Sequence, residues 1–424
     1  MITVSAETPI AGGGSIEPLA GQVHCELRRF PYPYQAMLAV CSDLDETPDR
    51  HVYWESMRFL NTEEPTTMGV GVGLEVGNSI YFDMPADQFA YWNTDDTGRA
   101  MVRSLIRSGH IDCLHSFGDL ATTRKHAAQA LDELVRAHCH LAVWIDHGVA
   151  PSNFGSDIMQ GYGDVSNSAV YHADLTHSYG IRYVWCGRVT SMIGQNQTRS
   201  LRGIYNPRHP IASMKTAIKE FLKARHALAE QGKYAMHAQN RLLRQVHLRS
   251  GHSVSEFLRA NPHWGGVSRG ETADGIPEVL TEAMLNRLAR RKGVSVLYTH
   301  LGKIRRREEP FGPQARNAFR RLAALDRGGK IVVTTTRRLL TYCDMVCNLS
   351  VATSTAEDGL RIAVTTEAST SSDWDGLSFY VDDPSGVSVT VNGTEIRSLQ
   401  RNGPDHTGHS SVSIPWRRLE FPSL

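Results

Sequence analysis

Apolar residues follow two rhythms along this chain. Short apolar runs, Ala36 to Cys41, Leu141 to Ile145 and, with Ser295 inside it, Val294 to Tyr298, have the length of buried strands. Further short runs at Ile111 to Leu114, Ile181 to Trp185 and Ile331 to Thr335 read the same way. Between them apolar residues recur every three or four positions, the spacing of helices with one buried face. The spacing predicts a helix over Arg124 to His138, with Ala127, Leu131, Leu134 and Val135 turned inward. It predicts another over Ile211 to Gln231, with Met214, Ile218, Phe221 and Leu222 inward and Gly232 as its stop. Arg103 to Ser108 closes a helix at Gly109, and Ala169 to Tyr179 forms another. Pro277 to Lys292 is expected as one helix, with the proline in its first turn and Gly293 at its C-terminal cap. Ala315 to Leu325 and Arg337 to Asp344 complete the set.

Strand and helix therefore alternate from about 35 to 345, which calls for an α/β fold on a parallel sheet, open or closed into a barrel. Residues 1–25, with Gly12-Gly13-Gly14, read as a loose lead-in to a main domain at 26–347. From 348 to 424 the texture changes to short strands separated by Gly, Asp and Pro. Leu360 to Thr365, Leu377 to Val381, Val387 to Val391 and Val412 to Pro415 predict a small antiparallel, sandwich-like β domain.

Composition changes little in that picture. At 424 residues, 41% hydrophobic and 21% charged, the chain is globular and long enough for more than one core. A formal net charge of +1 gives no whole-protein attraction to nucleic acid or an acidic membrane. The basic run Arg305-Arg306-Arg307 is answered by Glu308-Glu309 and reads as a solvated face. No signal peptide opens the sequence, and no stretch nears the roughly 18 apolar residues of a membrane span, so a cytoplasmic location is expected. The seven cysteines form no CxxC pair and read as scattered thiols.

The chemistry gathers at the ends of the predicted strands. Asp43 and Asp45 follow the first; His115 and Asp119 the second; Asp146 and His147 the third; His300 follows Val294 to Tyr298. In a parallel barrel all these ends meet on one rim. If a helical turn begins at His115, then His115 and Asp119 share a face and hold one ion, with Asp45 as third ligand. Two carboxylates and an imidazole suit a divalent ion, zinc first, with manganese, iron or cobalt also admitted. An open position for water would make that site catalytic, with Asp43 as base and His300 as acid.

Each residue has a plainer reading. Asp43 and Asp45 before Pro48 suit an ordinary turn, and Asp119 suits a helix cap. Asp146 and His147 are either loop residues or groups that orient a ligand or touch substrate. His172, Asp174 and His177 fit a solvated helix face. His263 and Trp264 either close over a sugar or pack beneath their loop. Tyr81, Phe82, Tyr91 and Trp92, in a Gly-rich stretch, either stack on a sugar or fill a satellite core.

On these residues the chain resembles the polysaccharide deacetylase (NodB-type) superfamily. Ser42-Asp43-Leu44-Asp45 matches the family's aspartate pair, which implies Asp43 as base and Asp45 as metal ligand. His115-Ser116-Phe117-Gly118-Asp119 matches the H-[ST]-x-x-H motif with Asp119 in place of the second histidine. Leu297-Tyr298-Thr299-His300 matches the late histidine and implies His300 as general acid. The family's Arg-Pro motif has no clean match; Trp144-Ile145-Asp146-His147-Gly148 stands near its place. The resemblance implies a distorted (β/α) barrel and a metal-dependent hydrolase that removes an N-acetyl or other acyl group from an amino sugar or glycoconjugate. The expected partner is a carbohydrate, contacted by Asp146, His147 and Trp264, with no nucleic acid or membrane. The oligomeric state is open, a homo-oligomer included. The rival readings are a glycoside hydrolase on a similar barrel, or a binding protein without turnover.

Overall fold

The structure is a computed structural model that describes residues 25–43, 46–148, 150–229, 233–356, 359–367 and 371–423. The chain divides into two units. The larger takes Ala36–Leu339 with residues 419–423; the smaller takes residues 25–35 with Leu340–Arg418, rather than residue 348 onward alone. Residues 1–24 of the expected lead-in lie outside the described residues.

The larger unit is built on a curled, mostly parallel sheet of eleven strands. At its centre lies Ala36–Ser42, seven residues that are all buried. On one side it pairs in parallel with Val294–Thr299. On the other, Ile331–Thr334 pairs with its first half, and Asn78–Ile80 meets its end at Ser42. From Asn78–Ile80 the parallel order continues through Ile111–His115, Val143–Ile145 and Tyr183–Trp185 to Ser253–Phe257. An antiparallel strand, Leu243–His247, forms the edge. Ser253–Phe257 runs on through Leu258 into Arg259–Ala260, which pairs with Val294–Thr299. The segment 253–260 thus touches strands near both ends of the path. Continuous apolar runs suit such strands, because both faces are covered.

Helices cover the sheet, and their starts follow capping rules. Asp49, Asp95, Thr123 and Thr281 each accept a backbone N–H at the head of Arg50–Asn61, Asp96–Arg107, Arg124–Arg136 and Glu282–Arg290. Arg124–Arg136 buries Ala127, Ala130, Leu131 and Leu134, but Val135 is turned out and 59% exposed. The expected helix from Pro277 is broken into Ile276–Val279 and Glu282–Arg290, because Thr281 caps a fresh start. Ala169 to His172 are not helical; the helix there is Ala173–Tyr179.

The largest departure is Pro210–Ala229. Its predicted inward residues Met214, Ile218, Phe221 and Leu222 are 45–58% exposed. Ser213, Thr216, Glu220 and Ala224 are the buried ones. Polar contacts seat this face. The Thr216 hydroxyl donates to the Trp264 carbonyl at 3.0 Å, and Glu220 accepts from Thr190 at 2.7 Å and Lys223 at 2.8 Å. The expected stop, Gly232, lies outside the described residues.

In the smaller unit, Cys25–Leu27, Ser378–Val381, Ser411–Ser413 and Gln400–Asn402 form an antiparallel sheet. A second sheet joins Ser350–Ala356, Gly359–Thr365, Val387–Val391 and Thr394–Glu395. It is mixed, not antiparallel throughout, since Gly359–Thr365 and Val387–Val391 run parallel.

Candidate active site

Six of the strands deliver polar side chains to one edge. Asp43 leaves the end of Ala36–Ser42 and is 1% exposed. Burial alone would raise its pKa. The guanidinium of Arg259 and the imidazoles of His115, His300 and His147 overcome that and hold it down to about 2. Arg259 Nη2 stands 3.5 Å from both Asp43 oxygens and donates to the Cys41 carbonyl at 2.8 Å. Its guanidinium contacts the rings of Trp185 and Tyr298, 4.6 Å from each centroid, and the two rings are themselves neighbours at 5.6 Å. Two aromatic faces compensate a buried cation for its lost water. Burial pulls the Arg259 pKa down; the Asp43 charge more than restores it.

His300 sits on the other side of Asp43, with Nε2 3.3 Å from Oδ2. The same nitrogen is 3.9 Å from Glu46, and Nδ1 is 3.5 Å from Glu271. Lys303 lies between these acids, 3.7 Å from Glu46 and 3.6 Å from Glu271. Burial lowers the His300 pKa, but Glu271, Asp43 and Glu46 together carry it above its ordinary value.

A second pair of imidazoles lies beyond Asp43. His115 Nδ1 is 3.8 Å from Asp43 and 3.4 Å from Ser79 Oγ, which is itself 3.3 Å from Asp43. Tyr81 stacks on the His115 ring at 4.3 Å, and its hydroxyl lies 2.7 Å from His147 Nδ1 and 3.4 Å from His115 Nε2. His147 Nε2 reaches Asp119 at 3.4 Å. Burial lowers both imidazoles to about 4, so each is neutral at pH 7.

His115 and Asp119 do not share a helix face as the spacing predicts. After His115 the chain turns sharply, with Ser116 at φ 46° and Gly118 at φ 94°. A Cβ on Gly118 would fall 2.1 Å from the Asp83 carbonyl, so only glycine fits. The turn brings Asp119 to His147 instead. Asp119 caps no helix, since Thr123 caps the next one. Asp45 lies outside the described residues. Among the described residues no three His, Cys, Asp or Glu side chains already form a ligand set. The donor chemistry still fits a divalent ion: two neutral imidazoles and the half-exposed carboxylate of Asp119 lie together.

The remaining predicted residues lie as follows. Asp146 is fully buried, and it accepts from Trp144 Nε1 at 2.7 Å, Phe154 N at 2.9 Å and Gly155 N at 2.8 Å. Burial lifts its pKa to about 7 against those donors. Trp264 stacks on His209 with centroids 3.8 Å apart and planes 3° apart, so one indole face is taken. His263 is buried against Glu278 at 2.6 Å. His172 is also buried, bonded to Thr176 and the Ser152 carbonyl, rather than on a solvated face.

Arg259, Ser79, Glu46 and Glu271 escaped the sequence patterns, and Tyr81, expected to stack on a sugar or fill a satellite core, packs on His115 and joins a small core cluster with Met84 and Ala90. Arg259 alone carried a signal: one cation inside the apolar run Phe257-Leu258-Arg259-Ala260 is expected to be paired. It is this residue, not Trp144 to Gly148, that braces Asp43. No family model and no curated protein matches the chain.

Proposed function

We propose that the larger unit is a distorted (β/α) barrel that hydrolyses an acyl amide, an N-acetyl group on an amino sugar or glycoconjugate above all. The observation that carries this is the pair Asp43 and His300, which leave adjacent parallel strands and face each other at 3.3 Å. One is a carboxylate held ionised; the other is an imidazole whose pKa the surrounding acids raise. Hydrolysis of an amide needs both: a base for the proton of the attacking water and an acid for the departing nitrogen. Asp43 takes the first role and His300 the second. Arg259 keeps Asp43 ionised and fixed, and Glu271 orients the His300 ring through Nδ1.

A carboxylate with so low a pKa is a weak base toward ordinary water. A divalent ion held by His115, Asp119 and Asp45, with His147 beside them, would supply what is missing: a more acidic water and a polarised carbonyl. A glycoside hydrolase would use Asp43 or Asp146 as a catalytic carboxylate, and the oxygens of Asp146 are engaged by the 154–155 backbone and Trp144, which gives no support to that role for it.

The test is acetate release from a panel of N-acetylated sugars and oligosaccharides by the purified protein, with metal content measured by mass spectrometry. Acetate from the wild type, and release lowered about 10²–10⁴-fold in Asp43→Asn or His300→Ala, supports the reading. New reducing ends without acetate would move the activity to glycoside cleavage. Sugar binding unaffected by chelator, with no product at all, would leave a binding protein.

A further inference from the structure

We propose that the helix Pro210–Ala229 docks the protein on an anionic lipid surface, lying along it without crossing it. Around this helix three stripes are distinct. Ser213, Thr216, Glu220 and Ala224 face the protein and are buried. On the open side Ile211, Met214, Ile218, Phe221, Leu222 and Leu228 are 45–79% exposed. Lys215, Lys219 and His226 run along one edge of that apolar stripe, with Arg225 inside it, and all four are exposed. The only acid in the helix, Glu220, is turned inward and engaged by Lys223 and Thr190. The outward surface is therefore apolar and cationic together.

Six large apolar side chains on one exposed helix are not ordinary surface decoration. Their partner must accept both greasy side chains and positive charge. A second copy of this chain, meeting face to face, would set lysine edge against lysine edge. A specific protein partner also needs about 800 Å² per side with complementary shape, and one convex helix stripe is narrow for that. A lipid surface demands no matching shape. Its headgroup region accepts an amphipathic helix lengthwise, and anionic headgroups attract the flanking Lys and Arg. Long lysine stems reach the headgroups while Ile218 and Phe221 enter the acyl boundary. Among the described residues no helix is long and apolar enough to cross a membrane, so contact at the surface is the geometry open to this one. The near-zero net charge does not oppose it, because the charge here is local.

The experiment is co-sedimentation of the full chain with vesicles of phosphatidylcholine alone or with about one third phosphatidylserine. Wild type should pellet with the anionic vesicles, release in high salt and stay in solution with the neutral ones. The double variants Ile218→Glu/Phe221→Glu and Lys215→Glu/Lys219→Glu should each lose about tenfold or more in binding. Their melting curves should match wild type, since every altered side chain is exposed. Wild type left in the supernatant with anionic vesicles would overturn the proposal, as would undiminished pelleting of Ile218→Glu/Phe221→Glu. A dimer in sedimentation velocity that this double variant dissolves would assign the face to a second copy instead.

Discussion

At the scale of single residues, the ionisation of Asp43 is set by its neighbours. Arg259 is the decisive one. Replacing it by methionine leaves a buried carboxylate without its cation, a change that costs about 3–5 kcal/mol in comparable buried pairs. Urea denaturation of Arg259→Met should show that loss; a variant as stable as wild type would mean that Asp43 has another counter-charge. Removing the proposed base, in Asp43→Asn, should lower acetate release by about 10²–10⁴. His300 gives a pH prediction. Asp43, Glu46 and Glu271 raise its pKa against burial, Lys303 and the half-buried Tyr298 hydroxyl being its other neighbours. The stabilisation from its protonated form is complete below about 6.5 and is lost as pH rises through the raised folded value. The acid it supplies vanishes over the same interval, so kcat/KM should fall on the alkaline side. Glu271→Gln should shift that limb toward lower pH; an unmoved limb would assign it to another group. Asp43 and His300 were legible in the sequence because each ends an apolar strand. Glu271 was not, and Tyr81 was legible only as an aromatic for a sugar or a satellite core, since nothing local marks a side chain whose partner is 29 or 34 residues away.

At the scale of elements, position on a strand was easier to read than orientation of a helix. The central strands appear where continuous apolar runs place them, because burial on both faces leaves one interpretation. The helix Pro210–Ala229 appears in place but rotated. Its periodicity identifies an apolar face, and periodicity cannot say whether protein or something else covers that face. The loop after Val143–Ile145 offers another test. Asp146 holds three N–H groups of the Trp144 side chain and the 154–155 backbone. Asp146→Ala strands all three, at about 1–3 kcal/mol each. Asp146→Asn retains an acceptor and should cost less by thermal denaturation. Equal losses would show that the packing of Trp144, not these bonds, holds the loop.

At the scale of the whole molecule, alternation of strand and helix was enough to announce a parallel sheet. The strand order was not. Ser253–Phe257 and Arg259–Ala260 pair with strands far apart in sequence, and such pairing leaves no local trace. The same holds for Cys25–Leu27, three residues too short to show a period, which pair with Ser378–Val381 in the smaller unit. The proposed chemistry makes a prediction for the intact protein. Dialysis against a chelator should abolish acetate release, and zinc or manganese should restore it. Full turnover after verified removal of the ion would reject the role assigned to His115 and Asp119.

The indole of Trp185 is 1% exposed and pressed against the guanidinium that braces Asp43. It is therefore an intrinsic optical reporter for the carboxylate proposed as the base. Any ligand that alters the charge at Asp43 also alters the electric field across this one ring, and its emission should shift on binding. Trp185→Phe would silence that component of the spectrum, so occupancy could be followed in real time before a single substrate has been identified.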